Sequence, residues 1–379
     1  MTSEGKRRGG VFGFLLSAQG WPYLLTPFIP AAVALELAHA EATLIFFVAA
    51  LGIVPTAALM GLATEELAAK SGPGIGGLLN VTFGNAPELI IALFALNAGL
   101  QEVVKASIVG SIIGNVLLVL GLSMLVGGLK HQRQSFNPQA ANIQATMLFL
   151  AAAALVMPAI FELVVEGKGL PSPSAEVVDY GSTVEKLSLA TAIVLIGTYV
   201  AGLFFSLRTH KDLFNPPYAE EHEEGFGWSV RRAVIYLFIS GLAVGLMSEI
   251  LVGSISEASE TIGLSEFFVG VIVVAIVGNA AEHWVAVLVA FKNKMDLAVN
   301  IAIGSSAQIA LFVAPVLVIA SFFIGVGPMP LVFNGFELGA VLLAVLVANV
   351  ITHDGESNWF EGVQLLALYA ILGIAFFYA

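Results

Sequence analysis

The sequence contains no cysteine and very little charge. The absence of cysteine excludes disulfides, iron–sulfur clusters and thiolate metal sites. Only 11% of the 379 residues are charged, whereas an ordinary soluble domain carries about 25%. Basic residues are fewer than acidic ones, at 15 against 27, whereas a nucleic-acid-binding surface needs an excess of basic residues. These shortages exclude a soluble globular enzyme, a disordered chain and a nucleic-acid binder.

Long apolar runs are abundant. Hydrophobic residues make up 58% of the chain, and a helix that crosses a bilayer needs about 20 mainly apolar residues. The runs predict an all-α polytopic membrane protein with eleven transmembrane helices. They lie near 22–39, 42–64, 74–98, 104–128, 140–164, 187–207, 230–251, 265–291, 295–325, 330–352 and 358–378.

The scarce basic residues predict the orientation of these helices, because cytoplasmic segments are enriched in lysine and arginine. If the N-terminus is cytoplasmic, 12 of the 15 basic residues fall on the inner side. The three on the outer side are Lys105, Lys168 and Lys186. We therefore expect a multi-pass integral membrane protein with the N-terminus in the cytoplasm and the C-terminus on the opposite side.

A five-residue motif occurs twice. Gly84-Asn85-Ala86-Pro87-Glu88 recurs as Gly278-Asn279-Ala280-Ala281-Glu282, and Gly110-Ser111 recurs as Gly304-Ser305, all at an offset of 194 residues. Helix-packing sequences also repeat small residues, but that interpretation does not explain equal offsets with a glutamate in mid-span each time. The predicted organisation is an N-terminal segment and first helix, a five-helix repeat, an acidic cytoplasmic linker and an inverted second five-helix repeat, at 1–40, 41–207, 208–229 and 230–379.

The repeated glutamates are the candidate binding residues. A glutamate in hydrocarbon is costly unless it faces a cavity, is protonated or binds a cation. Glu88 and Glu282, with Asn85 and Asn279, offer the oxygen ligands that Ca²⁺ prefers, and Mn²⁺ is also compatible. Other residues near the motifs line the site or its access paths: Gly84, Pro87, Ser111, Asn115, Gly278, His283, Ser305 and Gln308.

Both motifs carry features that favour a break in the helix. Pro87 cannot continue the hydrogen-bond ladder, and Gly84 weakens the same turn. Repeat two has Ala281 in place of the proline, so we expect its break to rest on Gly278 and Asn279. Unwound backbone at membrane depth is tolerated only where it lines a cavity.

Buried, neighbouring carboxylates also take up protons when a bound metal leaves, since burial and mutual repulsion disfavour the charged form. Competition between metal and protons for the same oxygens is the minimal mechanism of a cation/proton antiporter. A channel and a sodium-coupled exchanger remain alternatives. An intramembrane enzyme is disfavoured, because no span contains an HExxH motif.

Several other polar residues have two interpretations. Glu65 and Glu249 are a symmetry pair that either guards the two entrances or forms solvated helix ends. His283 is either a proton relay or a packed neutral histidine. Glu337, early in the tenth span, is a candidate proton-pathway residue. The acidic run 220–224 is either a solvated linker or a site of cation recruitment.

The paired motifs resemble the two signatures of the Ca²⁺/H⁺ antiporter (CAX) branch of the cation/Ca²⁺ exchanger superfamily. The resemblance covers nearly the whole chain and implies alternating access, with Glu88 and Glu282 binding Ca²⁺ or protons in turn. It implies no cofactor, with Ca²⁺ as the transported substrate, and is compatible with a homo-oligomer. Sodium/calcium exchangers carry Gly-Thr-Ser/Pro-Glu versions, so Asn85 and Asn279 favour proton coupling. A broader Mn²⁺/H⁺ antiporter remains an alternative.

Overall fold

Helices account for most of the computed structural model, which describes residues 20–167, 169–173, 180–210 and 227–379. Eight helices in this part of the chain are long and apolar enough to cross a membrane, and three apolar helices are shorter. The long helices are α2 (Ala42–Gly84, apolar over Ala42–Ser71), α4 (Gln101–His131), α5 (Pro138–Val164), α6 (Ser182–Thr209), α7 (Val230–Ile262), α8 (Glu266–Phe291), α9 (Met295–Ala320) and α11 (Trp359–Phe377). The shorter ones are α1 (Trp21–Leu37), α3 (Ala86–Asn97) and α10 (Gly335–Ile351).

The boundaries of α2 and α3 differ from the predicted ones. The runs 42–64 and 74–98 were expected as separate spans, but helical structure continues from Ala42 to Gly84. A Cβ atom on Gly76 would overlap the carbonyl oxygen of Ala68, whereas a straight helix separates residues eight positions apart by about 12 Å. The chain therefore folds back within α2, so that its second half leads into α3.

Two later helices are shorter than their apolar runs. The run 295–325 gives a helix that ends at Ala320. The run 330–352 gives a helix that begins at Gly335, because Asn334 and Glu337 form a capping box there. Apolar composition continues into the connector between α9 and α10, but the cap sets the start of the helix.

Lys105, which we counted among the basic residues of the outer side, lies in the interior of the protein. It belongs to α4, and its side chain is 1% exposed. The ammonium group pairs with Glu102 at 2.5 Å and donates to the carbonyl oxygen of Val332 at 3.0 Å. Buried charge is tolerated where it is paired and hydrogen-bonded, and a count of basic residues along the sequence does not detect such pairing.

Helices α4 and α9 form the interior of the molecule. Their most apolar windows are 83% and 78% buried, against 22% for α6 and α11. Helix α4 also crosses α8 at close range, because a Cβ on Gly110 would overlap the carbonyl oxygen of Val271. Small residues permit this approach of two backbones in a membrane protein. The crossing brings the two repeated motifs to neighbouring helices.

Several helices widen to π-helical turns close to the motif residues. These turns are Gly114–Val119 in α4, Val269–Val274 in α8, and Asn300–Gly304 and Ile309–Val313 in α9. Turns of this kind are rare and concentrate at functional sites. In α9 they lie on either side of the segment Ser305–Gln308.

A two-stranded sheet joins the two halves of the chain at one end of the helices. Strand β1 (Arg133–Ser135) follows α4, and strand β2 (Glu356–Asn358) precedes α11. They pair antiparallel, with Arg133 opposite Asn358 and Ser135 opposite Glu356. Arg133 and Glu356 also form an ion pair. The sheet defines one end of the helix bundle, here named the sheet end.

Candidate cation-binding site

The two repeated glutamates lie on facing helices, and each one packs against the glycine of the other motif. A Cβ added at Gly84 would lie 3.3 Å from Oε1 of Glu282. A Cβ added at Gly278 would lie 3.3 Å from Cγ of Glu88. The two carboxyl groups are close enough to interact electrostatically. The glycines therefore make room for the glutamates, and the sequence analysis did not foresee this reciprocal role.

Hydrogen bonds between the halves of the chain position the two asparagines. Asn85 donates from Nδ2 to Oε1 of Gln308 at 2.5 Å, and Asn279 donates from Nδ2 to Oγ of Ser111 at 3.0 Å. Both asparagines are buried, at 1% and 0% exposure. Because each amide group uses its NH₂ for a fixed partner, its carbonyl oxygen is left facing other groups. Both contacts join residues that are more than 160 positions apart in sequence.

A second set of contacts extends from Glu282. Ser305 donates from Oγ to Oε2 of Glu282 at 3.1 Å. The next residue, His283, lies 3.1 Å through Nε2 from Oδ1 of Asn115. His283 therefore contacts an asparagine of α4. This geometry favours a role in positioning Asn115 and leaves a proton relay untested.

Among the residues that the structure describes, three buried acceptor oxygens at this site have no hydrogen-bond partner. They are Oδ1 of Asn85, Oε2 of Glu88 and Oδ1 of Asn279. A buried acceptor without a partner costs about 1–3 kcal/mol. A bound cation or, at the carboxylate, a proton satisfies such oxygens. The described residues contain no group of three or more His, Cys, Asp or Glu side chains that could hold a metal, so neutral amide and hydroxyl oxygens must complete any coordination shell.

The predicted helix break in the first motif is confirmed. Helix α2 ends at Gly84, Asn85 has φ −94° and ψ 16°, and α3 begins at Ala86 with Pro87 in its first turn. Asn85 therefore lies between two helices, not on one helical face with Glu88. Proline is well tolerated at the start of a helix, where its missing N–H has no intrahelical role.

The predicted break in the second motif was wrong. The helical segment Ala275–Phe291 continues through Gly278 and Asn279. The second motif has alanine where the first has proline, and Asn279 Nδ2 also donates to the carbonyl oxygen of Ala275 at 2.9 Å. Without proline, the i to i−4 ladder is retained, and the irregularity moves to the π-helical turn Val269–Val274.

The accessory acidic residues occupy different environments. Glu65 is exposed and lies within electrostatic range of Glu282 and of Tyr23 in α1. Its neighbour Glu66 is buried and accepts the N–H of Trp228 at 2.8 Å. Glu249 is exposed on α7. A role of Glu65 and Glu249 at the entrances stays a prediction, and the acidic run 220–224 lies outside the described residues.

Aromatic residues of α1 also reach this region, and the sequence analysis missed them. The ring of Trp21 meets the ring of Trp284 edge to face at 5.6 Å. Trp284 is two residues beyond Glu282, and Tyr23 is the electrostatic neighbour of Glu65. No spacing signal in the sequence connects α1 to the second motif, because the contact depends on how the helices pack.

Fold and site together define a multi-pass integral membrane protein with a paired-carboxylate, oxygen-lined site between its helices. The chain matches the family described as "Sodium/calcium exchanger protein" over residues 41–208 and 232–378. It is 48% identical over 352 residues to the Ca(2+)/H(+) antiporter ChaA of Bacillus subtilis, covering 92% of this chain and 96% of the relative. It is 47% identical over 356 residues to a Ca(2+)/H(+) antiporter of Synechocystis sp., covering 89% of this chain and 91% of the relative.

A solved structure agrees with these sequence matches. The crystal structure of the selenium-substituted Ca²⁺/H⁺ antiporter protein YfkE is 44% identical, covers 94% of this chain and 98% of that chain, and superposes with a TM-score of 0.78. The chain therefore belongs to the sodium/calcium exchanger protein family, which is a family of membrane transporters.

Proposed function

We propose that this chain exchanges Ca²⁺ for protons across a membrane by alternating access. The observation that carries the proposal is the set of three buried, unpartnered acceptor oxygens beside Glu88 and Glu282. Two carboxylates with amide and hydroxyl oxygens suit Ca²⁺, which takes 6–8 oxygen ligands in flexible geometry. Relatives of 47% and 48% identity that are named Ca²⁺/H⁺ antiporters support the same substrates.

In the proposed mechanism, Glu88 and Glu282 bind one Ca²⁺ or take up protons, but not both. Asn85, Asn279 and Ser305 supply neutral ligands or hold the carboxyl groups in place. When Ca²⁺ leaves, one proton on each of the two carboxyl groups replaces its two positive charges, so the empty site does not carry two uncompensated charges through the membrane. No resident cofactor takes part in this scheme, and no enzymatic step is required.

The coupling ion distinguishes this function from a sodium-coupled exchanger. Purified protein in liposomes should accumulate radiolabelled Ca²⁺ when a pH gradient is imposed without sodium. An equal sodium gradient at constant pH should drive no uptake. Uptake driven by sodium and indifferent to pH would replace this proposal with the sodium-coupled alternative. Competition by Mn²⁺ in the same assay measures how broad the selectivity is.

The site assignment is tested separately. Glu88→Gln and Glu282→Gln remove one negative charge each at constant shape, and each should abolish uptake driven by the pH gradient. The matched control is Glu36→Gln, an exposed glutamate at the end of α1, which should leave uptake unchanged. Normal uptake by either site variant would contradict the assignment, provided that both variants keep the thermal stability of the parent.

We further propose that all eleven helices cross the membrane, as one helix followed by two inverted five-helix repeats. The reciprocal packing of Gly84 against Glu282 and of Gly278 against Glu88 supports a two-fold relation between the repeats. An inverted repeat places the substrate site between the repeats near the midplane. In this arrangement the sheet end is cytoplasmic, and Glu65 lies on the cytoplasmic access route.

The absence of native cysteine makes this topology directly measurable. Lys294→Cys, near the sheet end, should react with a membrane-impermeant maleimide only from the cytoplasmic side. Glu166→Cys, at the opposite end, should react only from the outside. Both residues are exposed. Labelling of both from the same side would contradict the proposed number of crossings.

A further inference from the structure

A second buried cluster of charged groups lies at the end of the helix bundle opposite the sheet. Glu102 and Lys105 lie in the first turns of α4, and Glu337 lies in the first turn of α10. Glu162 lies near the end of α5, and Tyr180 precedes α6. In each helix, this is the end that lies away from the sheet, so the cluster is separate from β1 and β2. The other residues of this cluster come from three elements: α4, α5 and the segment before α6.

The ammonium group of Lys105 is already engaged by groups other than Glu337. Lys105 uses its ammonium group on Glu102 at 2.5 Å and on the carbonyl oxygen of Val332 at 3.0 Å. Glu162 and Glu337 are 1% and 0% exposed. An ionised Glu337 would be a buried carboxylate beside a lysine that is already paired with Glu102, which is costly in the interior of a protein.

Oε1 of Glu337 and the hydroxyl group of Tyr180 are buried and have no hydrogen-bond partner among the residues that the structure describes. Oε2 of Glu337 accepts the N–H of Asn334 at 2.8 Å, but Oε1 has no partner. The hydroxyl group of Tyr180 has none either, although its side chain is only 5% exposed. A proton on Oε1 would neutralise this buried carboxylate, which lies within electrostatic range of Tyr180.

The electrostatic surroundings of Tyr180 confirm that these groups share one environment. Burial and the nearby carboxyl groups of Glu102, Glu162 and Glu337 raise the pKa of Tyr180 well above its usual range. The ammonium group of Lys105 also lies 5.8 Å from the centre of the tyrosine ring. Tyr180 therefore remains a neutral phenol and adds no charge to the cluster.

A metal ion does not fit this cluster. Among the described residues, no three carboxyl or imidazole groups lie close enough together to hold a metal. Glu102 is already paired with Lys105, and one carboxyl oxygen of Glu337 accepts a hydrogen bond in the cap of its helix. A proton is the cation that satisfies a single buried carboxyl oxygen and needs no further ligands.

We propose that Glu337, with Glu102, Lys105 and Tyr180 around it, is a second proton-binding site that adjusts transport to the pH at the end of the bundle opposite the sheet. Loss of its proton would offer Lys105 a second carboxylate and weaken its hold on Glu102 and Val332. Helix α4 carries this lysine and, further along, Ser111 and Asn115. A cavity beside Glu337 also reaches Val109, two residues before Ser111.

The test compares two glutamates in the same local structure. Glu337 and Glu361 are both the fourth residue of an Asn-x-x-Glu capping box, at the starts of α10 and α11. Glu361 is only partly buried and lies at the sheet end. Glutamine can still accept the capping hydrogen bond at both positions, so Glu337→Gln and Glu361→Gln change the same local structure in the same way, but only the first removes the proposed proton site.

Infrared spectroscopy of purified protein measures the proton without any transport. The parent should show a carboxylic-acid band that disappears on alkaline titration. Glu337→Gln should lack that component, and Glu361→Gln should retain it. An unchanged band in Glu337→Gln would overturn the proposal whether or not the chain exchanges Ca²⁺ for protons.

Transport supplies the second measurement, and this arm alone rests on the proposed function. Glutamine resembles a protonated glutamate, so Glu337→Gln should give, at every pH, the Ca²⁺ uptake rate that the parent shows at acidic pH. Its profile should lose one pH-dependent step, and the profile of Glu361→Gln should match the parent. Superimposable profiles for Glu337→Gln and the parent, or equal shifts in both variants, would refute a regulatory proton on Glu337. A parent without uptake driven by a pH gradient would refute the proposed function instead.

Discussion

The reciprocal packing of glycine and glutamate makes a quantitative prediction about Ca²⁺ affinity. Alanine at Gly84 would place a methyl carbon 3.3 Å from Oε1 of Glu282, and alanine at Gly278 would place one 3.3 Å from Cγ of Glu88. Such contacts are tighter than ordinary van der Waals packing, so the carboxyl group must move by a few tenths of an ångström. The backbone of α8 is continuous at Gly278 and should keep its helical form.

The size of the effect follows from the coordination geometry. Ca²⁺ holds its oxygen ligands within about 2.3–2.6 Å, so a carboxylate displaced by a fraction of an ångström loses part of its contact. A displacement of about 1 Å at a functional site costs about 100-fold. A shift of a few tenths should therefore weaken the apparent affinity by about three- to tenfold. The maximal rate should change less, because both carboxyl groups remain.

The assay is the Ca²⁺ dependence of uptake driven by a fixed pH gradient, together with the thermal unfolding temperature of each variant. Gly61→Ala is the matched control, because it lies in α2 and its Cβ would meet no atom within 4 Å. Alanine there favours the helix by up to about 1 kcal/mol and should leave the affinity unchanged. Unchanged affinity in both Gly84→Ala and Gly278→Ala, at normal stability, would refute the packing argument.

Three further substitutions test contacts around the site. Asn279→Ala removes the 3.0 Å hydrogen bond to Ser111 and, at about 1 kcal/mol per bond, should lower Ca²⁺ affinity several-fold in the uptake assay; unchanged affinity would contradict this. Lys105→Met leaves the partly buried Glu102 unpaired and the carbonyl oxygen of Val332 without its donor, and should cost about 1–3 kcal/mol of stability, seen as a lower unfolding temperature. Gly110→Ala should separate α4 from α8 and reduce the yield of folded protein, whereas Gly114→Ala, which meets no atom within 4 Å, should be tolerated.

Much of the architecture could be predicted from the sequence, because the membrane imposes a simple length rule on apolar helices. The break before Pro87 was also predictable, since proline removes a donor and clashes within the preceding turn. The continuous helix through Gly278 was not. A glycine in the sequence is compatible either with a helix break or with the close approach of another segment. Only the packing of Glu88 against Gly278 identifies the close approach.

The site was predictable at the level of motifs and not at the level of contacts. The spacing identified Asn85 and Asn279, but it could not show that they bond to Gln308 and Ser111. Those partners depend on the relative position of helices that are distant in sequence. Lys105 shows the same limit, because a lysine near a span end resembles a loop residue until its buried partners are known.

Proton release on Ca²⁺ binding is the measurement that tests the central claim most directly. Ca²⁺ is added to purified protein in weakly buffered solution, and the pH change is followed with an indicator. If Ca²⁺ and protons compete for Glu88 and Glu282, the addition should acidify the medium, and Glu88→Gln with Glu282→Gln in one chain should abolish both Ca²⁺ binding and proton release. Ca²⁺ binding by the parent without proton release, or unchanged release in the double variant, would contradict the account.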